Sequence, residues 1–346
     1  MSPLEDIIRA EIADRGPMGL DRYMELCLAH PEHGYYMTRD PFGASGDFTT
    51  APEISQMFGE LAGLWLAQMW INIGSPEEFN LVELGPGRGT LMADILRVGQ
   101  GVSGFSEAAQ VKLIETSPKL REMQAITLGG AEVGWVNALD ELSDAPMLLI
   151  ANEFFDALPI KQFQKFGDMW LECKLKSSDD GFECGPARGD APSGTPIVSD
   201  GTIIEACPTA IQITKQIASI ISERDGAALI FDYGDVDGTG VTLQAVQNHT
   251  YVEPFKNPGQ ADLTAHVNFG DLGRAMEPCV GHLTTQGQFL AGMGIAERAE
   301  TLCHASKDAG ETIKSALHRL TDPDEMGTLF KAMAITRNGT TTPPGF

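Results

Sequence analysis

Long apolar runs are missing from this chain. No segment approaches the roughly 18 unbroken apolar residues that cross a bilayer as a helix, so a membrane-spanning protein is not expected. Paired cysteines are missing too. Cys27, Cys173, Cys184, Cys207, Cys279 and Cys303 lie scattered without a C-x-x-C pair, which argues for reduced thiols and against a metal site. Basic residues are few: 24 Lys and Arg stand against 48 Asp and Glu, a net charge of −24. That balance excludes nucleic acid or an anionic membrane as partner. It suits a basic protein or peptide, although surface acidity for solubility alone gives the same count. Residues 1–15 are acidic and amphipathic, with neither the apolar core of a signal peptide nor the Arg-rich make-up of a transit peptide. A cytoplasmic protein is the expectation. Internal repeats, a P-loop and any Ser/His/Asp order are absent from the sequence as well.

What remains is an ordinary globular composition. The chain has 346 residues, 42% hydrophobic and 21% charged, enough for a sizeable core. Helical spacing is read over residues 5–13, 20–29 and 54–71, with a turn-rich ordered loop over 40–52. Strand and helix then alternate: strand 79–84, helix 90–98, strand 111–115, helix 118–128, strands 132–136 and 147–151, and later strand 227–231. Alternation of this kind predicts a doubly wound, mostly parallel α/β sheet. Residues 160–175 alternate like strands, 177–201 are rich in Gly, Pro and Asp, and 208–224 read as a helix. An inserted β-rich flap over 160–207 follows, since a structureless loop that long is foreign to a compact domain. A loop region and several short helices are expected after Tyr233, then a last strand over 329–336 and a disordered tail, 338–346. The expected organisation is an N-terminal helical or lid segment, 1–75, packed on a domain spanning 76–337.

The stretch Leu81-Val-Glu-Leu-Gly-Pro-Gly-Arg-Gly-Thr90 carries the most functional information. An apolar strand ends in a glycine turn that opens a helix, the arrangement of a nucleotide-type site. Gly85, Gly87 and Gly89 let the backbone turn sharply and approach a ligand with no Cβ in the way. A dinucleotide fingerprint would need its third glycine at Thr90. The spacing G-x-G-x-G with Glu83 before it suits S-adenosylmethionine (SAM) instead. SAM has no pyrophosphate to cradle but carries an ammonium for acidic and carbonyl groups. Glu115, at the carboxyl end of the next strand, is placed to grip both ribose hydroxyls. A turn that merely joins strand to helix has the same glycines; the two acids together favour the cofactor.

Open parallel sheets bind ligands at the carboxyl ends of their strands. Those ends carry Glu83, Glu115, Asn137, Asn152, Glu153 and Asp232. Asn137 is either an acceptor for the adenine amino group or an ordinary turn residue. Asn152 and Glu153 open the string Asn152-Glu-Phe-Phe-Asp-Ala-Leu-Pro159, beside the methyl donor. Methyl transfer from a sulfonium needs a nucleophile held in line. A guanidinium is always charged in water. A carboxylate pair that localises its charge on one nitrogen leaves another freer to attack. Glu153 and Asp156 fit that role; the alternative makes Asp156 a helix cap and Glu153 a solvated turn residue. Residues 46–55 read either as a capped helix entry or as a lid bringing Asp47 and Phe48 to the cofactor. His266 is either the acceptor of the departing proton or a packed structural histidine.

These strings, with His33-Gly-Tyr-Tyr36, Gly46-Asp-Phe-Thr-Thr50, Pro52-Glu-Ile-Ser-Gln-Met-Phe-Gly-Glu60, Asp232-Tyr-Gly234 and Thr264-Ala-His-Val267, resemble the MidA family. The resemblance runs from about Leu20 to Thr336. It implies a class I methyltransferase (Rossmann-like) fold and a SAM-dependent enzyme. That enzyme would methylate an arginine of a protein, the 49-kDa-type subunit of respiratory complex I, during assembly. Asn137 and Asn268 depart from the family, where Asp is expected. An Asn137 oxygen still accepts a hydrogen bond, whereas Asn268 lacks the charge. A bacterial cytoplasmic member is the expectation. Methylation of a small molecule, and a SAM-binding assembly chaperone, stay open as alternatives; Thr90 disfavours a dehydrogenase.

Overall fold

Burial on both faces explains the apolar strands. A parallel strand covered by helices on each side reads as a continuous hydrophobic run. The computed structural model, which describes residues 2–38, 49–190, 195, 197–305 and 307–346, shows this at Phe79–Leu84 (β1), buried along its whole length. With it run Ala109–Ile114 (β2), Val133–Val136 (β3), Met147–Asn152 (β4), Gly226–Asp235 (β5), Val280–Thr285 (β6) and Phe330–Thr336 (β7). Their order is β6-β7-β5-β4-β1-β2-β3. β1 pairs in parallel with β2 and β4, β2 with β3, and β4 with β5, while β7 runs antiparallel between β5 and β6. The order reverses between β1 and β4, and a doubly wound sheet opens its ligand crevice at such a switch point.

Two units of contacts make up the chain. Thr49–Phe155, Ile213–Gly234 and Leu272–Phe346 form the sheet unit. Met1–Phe48, Asp156–Gln212 and Asp235–Asp271 form the second. The segment expected over 1–75 therefore divides at Thr49. Within the sheet unit, Ala51–Ile54 (α1) and Gln56–Asn72 (α2) replace the single helix expected over 54–71. Ser55 is extended at φ −162° and its side chain caps α2 by accepting from Met57 N–H, so the chain cannot run through as one helix. α2 brings Phe58 and Trp65 into the core, with the Phe58 ring 4.8 Å from Phe231 and Phe231 5.1 Å from Phe289.

The tail expected to be disordered is held by this core instead. Trp65 Nε1 donates to Pro344 O at 3.1 Å, and the Phe346 ring lies 5.4 Å from Phe289. A terminal aromatic that finds an apolar surface outweighs the polar composition before it.

In the second unit, Leu4 and Ile8 of helix Pro3–Arg15 and Leu20, Tyr23, Met24 and Cys27 of helix Leu20–Ala29 share a core with Leu175, Phe182 and Leu263. Strands Lys161–Phe166, Met169–Ser178 and Ile203–Ala206 pair antiparallel in the stretch where a β-rich flap is expected, 160–207. A further strand, Gly181–Gly189, lies in the Gly/Pro/Asp-rich stretch and pairs with Met169–Ser178. An edge strand tolerates Pro186, which hid it from the sequence. Here Cys173 and Cys184 are brought together across neighbouring strands, with Cα atoms 5.6 Å apart, within disulfide reach, where the sequence leads to the expectation of reduced thiols throughout. Cys27, Cys207, Cys279 and Cys303 are free. The loop region after Tyr233 also contains strands, Gln244–Gln247, Thr250–Val252 and Asp262–Thr264. No helix among the described residues is long and apolar enough to cross a membrane.

One buried charge ties α2 to its neighbours. Glu60, 2% exposed, accepts from Arg97 Nη1 at 2.7 Å and from Arg298 through Nε and Nη2 at 2.7 and 2.8 Å. Burial pushes its carboxyl up, but the two guanidiniums outweigh burial and hold it below the usual range. Removing one partner of a buried pair costs roughly 3–5 kcal/mol; because both arginines are partly exposed, Glu60→Ala is expected to cost about 2 kcal/mol in urea unfolding. A depressed carboxyl adds stability that is complete above its ordinary value and drains as pH falls through the folded one. Glu60→Gln should therefore flatten the loss of stability below pH 4.5.

Candidate active site

The glycine turn lies at the carboxyl end of β1, at the switch point. Gly85, Gly87 and Gly89 have φ of 58°, 54° and 84°, the left-handed region that side chains resist. A Cβ on Gly85 would come 2.8 Å from Phe154 Cδ2, and Gly89 caps helix Thr90–Gly99 (α3) in the same left-handed conformation. The backbone is thus bare where a ligand must approach.

Glu83 stands immediately before the turn, 3% exposed. Burial raises its carboxyl to about 8, opposed only by a hydrogen bond from Met92 N–H in the first turn of α3. Among the described residues its Oε2 is buried with no hydrogen-bond partner, and so is Asn152 Oδ1 at the end of β4. Buried acceptors left open are rare in folded proteins and ask for a donor. An ammonium supplies one, so these residues fit SAM.

Glu115 follows β2 and is 8% exposed. Its Oε1 accepts from Ser117 N–H at 2.8 Å and its Oε2 from Gln124 Nε2 at 3.3 Å. Burial pushes this carboxyl up, partly offset by those donors. A carboxylate takes about four hydrogen bonds, so capacity for a ribose diol remains. Gln124, in helix Pro118–Thr127 (α4), also donates to Gly87 O at 2.8 Å and accepts from Trp135 Nε1 at 2.8 Å. One buried amide therefore links the glycine turn to Glu115. Sequence reasoning missed it, although a Gln four residues after Leu120 stands on the buried face of the helix. Asn137 is exposed, and its Oδ1 accepts from Arg121 Nη2 at 2.9 Å. Asp47 and Phe48 lie outside the described residues.

The turn after β4 is the second focus. Glu153 has φ 50°, unusual for a residue with a side chain and worth about 1–3 kcal/mol of strain. Its N–H donates to Phe231 O at 2.9 Å, and its Oε1 accepts from Ala51 N–H at 3.3 Å and Asn152 Nδ2 at 3.1 Å. Asp232, fully buried within β5, accepts from Phe155 N–H and Tyr233 N–H, each at 2.9 Å. The strained turn is therefore fixed from two strands, and Glu153 is half-buried rather than a solvated turn residue. Glu53 of α1 accepts from Thr90 Oγ1 at 2.5 Å, a contact to the glycine turn that the sequence did not reveal.

In the second unit, Asp156 is 5% exposed and no helix follows it to be capped. Its carbonyl accepts from Ala265 N–H at 2.9 Å, which brings the backbone beside His266 to Asp156. No group of three or more His, Cys, Asp or Glu placed to hold a metal occurs among the described residues.

A doubly wound sheet with β7 reversed, a bare glycine turn at the switch point and open buried acceptors beside it define a class I SAM-dependent methyltransferase. The chain belongs to the Methyltransf_28 family of S-adenosyl-L-methionine-dependent methyltransferases, whose model matches residues 61–288. It is 37% identical over 368 residues to the Drosophila melanogaster mitochondrial protein arginine methyltransferase NDUFAF7 homolog, covering 95% of this chain and 83% of that protein. To the Homo sapiens mitochondrial protein arginine methyltransferase NDUFAF7 it is 34% identical, covering 97% and 83%. A COG1565 superfamily member from Burkholderia thailandensis, bound to S-adenosyl-homocysteine, matches in structure with a TM-score of 0.86 at 26% identity, covering 99% of this chain and 93% of that one.

Gly87→Glu places a side chain and a charge at a left-handed position of the turn. Calorimetry should show no SAM binding with the circular-dichroism spectrum unchanged; retained affinity would remove the turn from the cofactor site. Glu83 gives a pH signature. A raised carboxyl stabilises the fold fully below its ordinary value of 4.5, and that stability is lost as pH rises through about 8. Unfolding of the free protein should follow that course, and Glu83→Gln should abolish it.

Proposed function

We propose that this enzyme methylates an arginine side chain of a protein, with Glu153 gripping the guanidinium. The observation that carries this reading is Glu153 itself, a carboxylate held on strained backbone at the end of β4, one residue past the open Asn152 Oδ1. The naming of both curated relatives as protein arginine methyltransferases supports the acceptor class. When bound, SAM supplies an electrophilic methyl group. Glu83 and Asn152 offer acceptors for its ammonium, Glu115 for its ribose, and Gly85, Gly87 and Gly89 leave room for it; Asn137, Asp47 and Phe48 complete the proposed cofactor set.

Glu153 draws the guanidinium charge toward the nitrogens it holds, leaving another with a more available lone pair. Asp156 is the proposed second carboxylate and His266 the proposed acceptor of the proton that nitrogen gives up. Bound there, SAM would give its methyl group to that nitrogen, the sulfur keeping the electron pair of the broken C–S bond. The acidic balance of the chain, −24, suits a basic protein substrate. The family resemblance points to the 49-kDa-type subunit of complex I.

The test is methyl-labelled SAM with the purified protein in extract from cells lacking it. Label in one polypeptide that yields methylarginine on hydrolysis is the expected result. Label confined to small molecules overturns the protein acceptor. Glu153→Gln should lower the labelling rate by roughly 100-fold or more with SAM affinity kept. Normal complex I assembly in that variant would favour a chaperone.

A further inference from the structure

The segment carrying His266 is pinned along its length. Tyr36 Oη donates to Asp262 Oδ1 at 2.7 Å, Gln244 Nε2 to Thr264 Oγ1 at 3.2 Å, and Ala265 N–H to Asp156 O at 2.9 Å. His266 N–H donates to Thr242 Oγ1 at 2.8 Å. That last bond depends on a buried carboxylate. Glu205, on strand Ile203–Ala206, is 6% exposed, and its Oε1 accepts from Gln162 Nε2 at 2.6 Å, Thr242 N–H at 3.0 Å and Leu243 N–H at 3.3 Å. Its Oε2 accepts the Thr242 hydroxyl.

A hydroxyl owns one proton and an ionised carboxylate only accepts. The Thr242 proton therefore goes to Glu205, which leaves the oxygen lone pairs for His266 N–H. Glu205 is itself fixed: it stands opposite Gln162 in the sheet, and its N–H donates to Gly238 O at 3.0 Å. The polarity runs one way, from the sheet through the hydroxyl to residue 266. An amide that keeps its oxygen on the three N–H donors would present an N–H to the Thr242 hydroxyl and reverse this polarity.

We infer that Glu205, acting through the Thr242 hydroxyl, is a positioning residue that sets His266 for methyl transfer. The inference rests on the reading of His266 as proton acceptor. Holding a backbone N–H fixes where the imidazole starts, and a reacting group displaced by about 1 Å can lose 100-fold in rate. Neither Glu205 nor Thr242 meets the substrate in this scheme.

The test follows methylarginine formation in extract from cells lacking the protein, at saturating methyl-labelled SAM, with SAM affinity from calorimetry and thermal unfolding recorded beside it. Thr242→Val keeps the shape and removes the hydroxyl; its rate should fall about tenfold, the worth of one lost hydrogen bond. SAM affinity should be unchanged. Thr242→Ser should restore the rate. Adding Thr242→Val to His266→Ala should slow the enzyme no further than His266→Ala alone, because the hydroxyl acts only through that residue. A further fall in the double variant, or a Thr242→Val protein that loses its fold or SAM affinity with its rate, assigns a general structural role and overturns the inference. A full rate in Thr242→Val beside an impaired His266→Ala overturns the positioning role alone. A full rate in His266→Ala overturns the reading of His266 and the inference with it.

Discussion

Three left-handed residues in five, at Gly85, Gly87 and Gly89, are the constraint on which the site depends. Only glycine enters that region without steric cost, so the turn can reverse from β1 into α3 and still present bare backbone. Everything nearby braces it. Gln124 holds Gly87 O, Thr90 reaches Glu53, and Phe154 fills the space a Cβ on Gly85 would need. The turn after β4 shows the same logic, with Asp232 and Phe231 O fixing backbone that Glu153 would not adopt unaided.

Two glutamates of nearly equal burial show how function departs from stability. Glu60 at 2% exposure and Glu83 at 3% lose about the same hydration. Glu60 has two arginines and falls below the ordinary carboxylate range; Glu83 has one backbone N–H and rises to about 8. The first is a satisfied structural charge. The second keeps an oxygen open at a strand end, where a cationic ligand can complete it.

The sheet unit was largely legible in the sequence because buried strands and amphipathic helices leave strong periodic patterns. β1, β4 and the helix over 208–224 stand where spacing puts them. The second unit was harder. Gly181–Gly189 carries glycines and a proline that an edge strand accepts, and Gln244–Gln247 with Asp262–Thr264 are too short to show a period. The ordered tail depends on Phe346 meeting Phe289, a contact no local pattern encodes. Among the candidate site residues, strand-end position alone singled out Glu83, Glu115 and Glu153. Gln124, Glu53 and Glu205 act through partners dozens of residues away, beyond the reach of spacing.

Placing β7 between β5 and β6 has a consequence for the birth of the protein. Phe330–Thr336 is made after the other strands of the sheet, yet it pairs with Ala227–Tyr233 of β5 and with β6. The other unit begins at Met1 and needs residues up to Asp271. Synthesis therefore leaves the sheet incomplete until β7 has been made. Until β7 emerges, the edge of β5 that it covers is open, a template for stray pairing.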